Sequence, residues 1–201
     1  MKNPRMLFTV LCLVAIGSIL PARANASAAP TLKNPVVVLQ TSVGDIKIEL
    51  YPDKAPITVK NFLDYARIGF YNGTIFHRVM RGFVIQGGGV TPDLKEKATR
   101  APIKNEAANG ILNERGTISM AREEEADTAT AQFFINLVDN ARLNHHGNSG
   151  RAMGYAVFGK VIEGMDVVDK IGTFPTKAVN PEYASVPMTP ILLKSVKIIS
   201  E

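Results

Sequence analysis

The stretch Phe76, His77, Arg78, Val79, Met80, Arg81, Gly82, Phe83, Val84, Ile85, Gln86, Gly87, Gly88, Gly89 holds the residue types most suited to chemistry in this chain of 201 residues. Two strands joined by a tight turn at Arg81 and Gly82 would bring Arg78, Phe83 and Gln86 to one surface, provided the turn reverses the chain. That surface would combine a fixed cation, an aromatic wall and an amide. The plainer alternative is a hairpin with a salt-bridged arginine and a core phenylalanine. A second stretch runs Ser119, Met120, Ala121, Arg122, then the acidic Glu123 to Glu125, then Ala131, Gln132, Phe133, Phe134, Ile135, Asn136. Adjacent phenylalanines in a strand face opposite ways, so one can enter the core while the other lines a surface pocket, unless sheet and helix bury both. A third, Tyr155, Ala156, Val157, Phe158, Gly159, Lys160, Val161, reads alone as an ordinary strand.

Other chemistries fit less well. The only cysteine, Cys12, sits inside an apolar run near the N-terminus, so the exported chain would carry no thiol nucleophile, thiolate ligand or disulfide. His77, His145, His146 and Glu123 to Glu125 suggest a metal-dependent or histidine-based hydrolase, but the usual ligand spacings are missing. Gly147, Asn148, Ser149, Gly150 is not a nucleophile elbow, and Gly87 to Gly89 lacks the lysine and following helix of a phosphate loop. The glutamate run reads as a solvated loop.

These residues need elements to position them. Lys2 and Arg5 lead into an apolar run from Met6 to Leu20, followed by small residues. This has the form of a secretory signal peptide, too short for a spanning helix. Cleavage is allowed after Ala24, Ala26 or Ala28, with Ala26 preferred, which gives a signal peptide over 1–26 and a flexible tether over 27–35. Removing the leader takes away Lys2, Arg5 and Arg23 and no acid, lowering the formal charge from +5 to +2. So small a charge gives no reason to propose nucleic acid as a partner. No composition break or internal repeat follows, so residues 36–201 read as one domain.

Within it, Val36 to Gln40 and Asp45 to Leu50 alternate around Gly44 as a hairpin. Pro56 opens a helix whose Val59, Phe62, Leu63 and Ala66 recur at spacings of three and four until Gly69. A second short helix is expected from Met165 to Ile171. Extended segments are expected at Thr74 to Val79, Phe83 to Gln86, Thr117 to Met120, Gln132 to Leu137, Tyr155 to Val161 and Leu192 to Ile199. About eight strands and two helices point to a mostly antiparallel β-barrel with helices over its open ends.

Taken together, Phe-His-Arg followed by Gly-Phe, Gln-Gly-Gly, Gln-Phe-Phe-Ile and Val-Phe-Gly-Lys-Val resembles the cyclophilin family of peptidyl-prolyl cis-trans isomerases, over about Val36 to Ile199. The short loops, the leader and Asp139, Asn140, Ala141 look most similar to bacterial periplasmic members. The resemblance implies a closed eight-stranded antiparallel barrel with two capping helices and a shallow outer groove. It also implies Arg78 as the catalytic residue and Phe83, Val84, Phe134 and Leu143 as the pocket for the substrate proline ring. Gln86, Gln132 and the backbone near Ala121 and Arg122 would hold the flanking peptide, with Tyr155 at the rim. No metal or cofactor is implied. The expected partners are unfolded or proline-containing polypeptides, met by a monomer in the periplasm and not held at a membrane. Arg142 stands where cyclosporin-sensitive members often have Trp, Tyr155 where His is common and Arg122 where Asn is common, so weak cyclosporin binding is expected. The rival within the fold is a binding module with chaperone function and little isomerase activity. The joint presence of Arg78, Phe83, Gln86 and Phe134 argues against it, although both roles can coexist.

Overall fold

In the computed structural model, residues 34–200 are described. The signal peptide and nearly all of the tether lie outside them. The alternating hairpin forms as its pattern requires. Strands β1 (Val36–Thr41) and β2 (Asp45–Leu50) pair antiparallel and turn Val37, Leu39, Ile46, Ile48 and Leu50 into the core. Thr41 builds their turn, its hydroxyl accepting from the Val43 and Gly44 amides at 3.0 and 3.1 Å and donating to the Gly44 carbonyl at 2.6 Å.

Helix α1 (Pro56–Arg67) follows, burying Val59, Phe62, Leu63, Tyr65 and Ala66. The segment expected as one strand over Thr74 to Val79 is split into β3 (Thr74–Ile75) and β4 (Arg78–Met80). Then come β5 (Val84–Gly87), β6 (Thr117–Met120), β7 (Phe133–Asn136), β8 (Val157–Glu163) and helix α2 (Met165–Gly172). The last strands are β9 (Thr176–Lys177), β10 (Val186–Pro187) and β11 (Leu192–Ser200). Among the described residues no helix is long and apolar enough to cross a membrane.

The sheet departs from the expected closed eight-stranded barrel. Nine strands run in the order β3-β11-β1-β2-β8-β6-β7-β5-β4 as an open half-barrel, and β9 and β10 form a separate pair. The two end strands are consecutive in the chain, separated only by Phe76 and His77, yet they do not pair with each other. Their backbone groups are committed elsewhere: the Ile75 amide to the Val90 carbonyl at 2.9 Å, and the Val79 amide to the Ser185 carbonyl at 2.9 Å. Strands of two and three residues whose outward donors already have loop partners leave no ladder with which to close the sheet. The mainly β character and the two helices stand.

The inner face carries one apolar cluster, including Ile85, Ile118, Met120, Phe133 and Ile135. Phe62 of α1 centres its aromatic part, with ring centroids 5.1 Å from Tyr71, 5.7 Å from Phe133 and 5.3 Å from Phe158. The N-terminus of α1 has no side-chain cap from Ala55. Glu106, distant in sequence, supplies it. Its carboxylate accepts from the Ile57 and Thr58 amides at 3.1 and 2.8 Å and from the Thr58 hydroxyl at 2.7 Å. An anion there meets both the unpaired amides and the positive end of the helix dipole. Replacing Glu106 by Ala is therefore expected to cost about 1 to 2 kcal/mol of stability, the range of a lost N-cap, with Glu106→Gln costing less. Urea unfolding of the three proteins checks this, and equal midpoints would remove Glu106 from the cap.

Candidate active site

The opposite face of β6, β7 and β5 is built from the alternate residues. Val84 and Phe134 are buried but stand outside the main apolar cluster, whereas their neighbours Ile85 and Phe133 are inside it. The period of two thus places one phenylalanine of the pair in the core and the other at a cavity wall. In register, Gln86 sits opposite both Arg78 on β4 and Phe134 on β7, so three neighbouring strands of the sheet present these side chains in one row. The reversal that brings β4 back as β5 uses Gly82 at φ 67°, a conformation costly for residues with a Cβ. Phe83 lies in this turn, half-buried, its amide donating to the Met80 carbonyl at 3.0 Å.

Nine of the ten residues singled out in the sequence line one cavity of about 270 Å³. Arg78, Gln86, Ala121 and Arg122 form its polar side, and Phe83, Val84, Phe134, Leu143 and Tyr155 its apolar side. The tenth, Gln132, lines a neighbouring cavity of about 360 Å³ that shares Gln86, Ala121 and Arg122 with the first. The two are linked by hydrogen bonds. Arg78 Nη1 donates to Gln86 Oε1 at 3.0 Å, and Gln86 Nε2 donates to Gln132 Oε1 at 3.0 Å.

Among the described residues Arg78 makes no ion pair, so the salt-bridged arginine of the plainer reading is not what forms. Its guanidinium carbon lies 5.8 Å from the Phe83 ring centroid, and that of Arg142 lies 4.1 Å from the same centroid. Burial holds Arg78 below the ordinary guanidinium value, with Tyr155 opposing the shift and Arg142 adding to it. A guanidinium begins so high that it stays protonated. The site therefore presents a permanent, immobilised donor group beside an apolar hollow. The residues of the hydrolase alternative do not assemble: His145 Nδ1 and His146 Nε2 each contact a backbone carbonyl, of Met153 and Ala141, at 3.0 Å. Among the described residues no group of three or more His, Cys, Asp or Glu could hold a metal.

Sequence reasoning missed the residues that hold the cavity walls. Leu143 and Tyr155 lie outside the strands, and Asn113 fixes both, Nδ2 donating to the Leu143 carbonyl at 3.0 Å and the Tyr155 carbonyl at 3.3 Å. Its Oδ1 accepts from the Ser119 hydroxyl at 2.7 Å and from Asn136 Nδ2 at 3.3 Å. Asn136 Oδ1 accepts from Asn140 Nδ2 at 2.8 Å, and the same Asn140 nitrogen reaches the Phe83 carbonyl at 3.0 Å. All four side chains are buried. The available signal was polar residues at the alternate positions of otherwise apolar strands, Ser119 and Asn136.

Comparisons with known proteins converge on one family. The family described as "Cyclophilin type peptidyl-prolyl cis-trans isomerase/CLD" matches residues 36–198. The chain is 53% identical to peptidyl-prolyl cis-trans isomerase A of Dickeya dadantii, over 94% of this chain and 97% of that one. It is 55% identical to peptidyl-prolyl cis-trans isomerase B of Escherichia coli, over 81% and 99%. A crystal structure of a cyclophilin-type isomerase of Cryptosporidium parvum superposes with a TM-score of 0.68 at 28% identity, covering 84% of this chain and 99% of that one. A second structure of that protein, in the presence of the dipeptide Ala-Pro, gives 0.67 at 28% identity, over 83% and 99%.

His77, next to Arg78, is not among the residues lining that cavity and packs edge-on against Tyr183 at 6.0 Å, its Nδ1 buried with no hydrogen-bond partner among the described residues. Burial, then the charge of Arg78, lowers its pKa from 6.5 to about 4, against a raising contribution from the Ile75 backbone. Between those values the unfolded chain binds the proton that the folded protein refuses. Stability from this group is therefore full above pH 6.5 and is lost as pH falls toward 4, by roughly 3 kcal/mol. The unfolding free energy of wild type minus that of His77→Asn is expected to fall by that amount between pH 7 and pH 4. A difference independent of pH would contradict it.

Proposed function

The chain belongs to the cyclophilin-type peptidyl-prolyl cis-trans isomerases, and on that premise we propose that Arg78 is its catalytic residue and the 270 Å³ cavity its prolyl site. The enzyme accelerates rotation about X-Pro bonds in proline-containing polypeptides. The observation that carries the assignment is one half-buried guanidinium, held by Gln86 and unpaired with any described carboxylate, beside an apolar hollow large enough for a small ring.

Amide resonance opposes the rotation with a barrier of about 18 to 20 kcal/mol, and no covalent bond is broken. A catalyst therefore needs neither nucleophile nor proton transfer. In the twisted amide the prolyl nitrogen loses conjugation and regains a lone pair that accepts a hydrogen bond. Arg78 donates to it, and because that acceptor exists only in the twisted state, the interaction favours the transition state over both planar forms. Phe83, Val84, Phe134 and Leu143 hold the proline ring still while the preceding carbonyl swings. Gln86, Gln132 and the backbone at Ala121 and Arg122 steady the flanking peptide. Gln86 also fixes the guanidinium before substrate arrives, so little reorganisation accompanies the reaction.

The substrates we assign are exported polypeptides whose folding in the periplasm waits on proline isomerisation. Support comes from the sequence of residues 2–28, in which Lys2 and Arg5 precede an apolar run and then small residues, the pattern of a secretory leader. The Ala-Pro dipeptide in the related crystal supports a prolyl ligand of the kind assigned here.

Replacing Arg78 by Ala is expected to raise the barrier by about 2 to 4 kcal/mol, the loss of one positioned donor, without altering the urea unfolding midpoint by a comparable amount. Isomerisation of a short X-Pro peptide by the exported protein and by the variant measures this. Full activity in the variant would remove Arg78 from the mechanism, and an inactive but folded wild type would leave a polypeptide-binding module instead.

A further inference from the structure

Arg122 stands at the junction of the two cavities, and its side chain is spent on its own fold. Nε donates to the Gly154 carbonyl at 2.9 Å, Nη1 to the Glu123 and Glu124 carbonyls at 2.8 Å each and to the Glu125 carbonyl at 3.5 Å, and Nη2 to the Gly150 carbonyl at 2.9 Å. Its three nitrogens thus meet five backbone oxygens from two separate loops. The acidic run contributes carbonyls rather than carboxylates to this contact. Gly154 lets its loop close in: at φ 75° a Cβ there would lie 2.6 Å from the Asn144 carbonyl carbon and the His145 amide. Asn105 Nδ2 adds a second donor to the Gly154 carbonyl at 3.1 Å.

The same guanidinium covers a ring. Its carbon lies 4.8 Å from the Tyr155 centroid, and Tyr155 packs edge-on against Phe134 with centroids 5.5 Å apart. Arg122, Tyr155 and Phe134 therefore form a continuous stack that ends as a wall of the apolar cavity. We infer that Arg122 is a positioning residue of the isomerase: its side chain ties the two loops together and presses Tyr155 against Phe134, setting the shape of the prolyl site rather than contacting the peptide. This rests on reading the Arg78 cavity as the active site. Lysine cannot replace it, because an ammonium offers its donors from one point and cannot span the carbonyls of two loops while covering a ring.

The test is KM and kcat for an X-Pro peptide with wild type, Arg122→Lys, Arg122→Ala, Tyr155→Ala and the double variant Arg122→Ala/Tyr155→Ala, each with its urea midpoint. Loss of the stacked contact is expected to raise KM about fivefold to tenfold in Arg122→Ala and nearly as much in Arg122→Lys. Turnover should stay within about twofold, since no transition-state contact is removed. In the double variant KM should exceed that of Tyr155→Ala by no more than about twofold, because neighbours acting through one another are not additive. Recovery of wild-type KM in Arg122→Lys would show that charge alone matters and would overturn the inference. So would effects that multiply in the double variant, or an unchanged KM in both Arg122 variants. If Arg122→Ala fails to fold, the Arg122→Lys result alone decides. An inactive wild type would instead overturn the active-site reading beneath it.

Discussion

The walls of the Arg78 cavity that come from outside the sheet lie on loops and a short 3-10 turn, and a buried set of polar side chains holds them in place. Asn113, Asn136, Asn140 and Ser119 lie between the outer face of β6 and β7 and the segments that cover it. The carbonyls of Phe83, Leu143 and Tyr155, three wall residues, each take a donor from this set, those of Phe83 and Leu143 in addition to the backbone amides of Leu137 and Tyr155. Removing one member would strand the partners of the others in a low-dielectric interior, so the network acts as a unit. The sheet alone could not fix the site.

What the sheet does fix is the row running from Arg78 through Gln86 to Phe134. Antiparallel pairing places these residues side by side on neighbouring strands, and the strand period sends Ile85 and Phe133 the other way. The inner face is packed with aromatic rings around Phe62, so a shift of β7 by one residue would expel Phe133 from that packing, and a shift of β5 would expel Ile85 from the core. Core and cavity thus enforce the same register.

This explains which parts were legible in the sequence. Hairpin β1–β2, both helices and the division between Phe133 and Phe134 follow from local periodicity, and the distinctive motifs lie on strands whose register the core dictates. Features that depend on contacts between distant segments were not readable. The cap on α1 comes from Glu106, dozens of residues away, where nothing local distinguishes it from any surface glutamate. Thr74 to Val79 has one continuous pattern, yet its two halves pair with β11 and β5 at opposite ends of the sheet, and that break is what leaves the sheet open. Arg122 was read for its backbone at the groove, and the carbonyl partners of its side chain appear only once the 121–130 and 144–155 segments are folded together.

A reaction that breaks no bond places unusual weight on such supports. In the mechanism proposed for Arg78, the catalyst contributes one hydrogen bond to a nitrogen that can accept it for only part of the rotation, and the benefit depends on donor and proline ring being held in fixed relation. Arg78 is fixed through Gln86 to Gln132, while the ring pocket is fixed by the amide network and by the Tyr155 to Phe134 stack. The two sets of supports meet at Ala121 and Arg122, which border both cavities. On the proposed mechanism, mobility in either set would carry the guanidinium away from the nitrogen during the part of the rotation in which it can accept, and the hydrogen bond would lower the barrier less. Rigidity around a single permanent charge would then be the device itself, and it gives the buried polar residues behind the cavity a part in it.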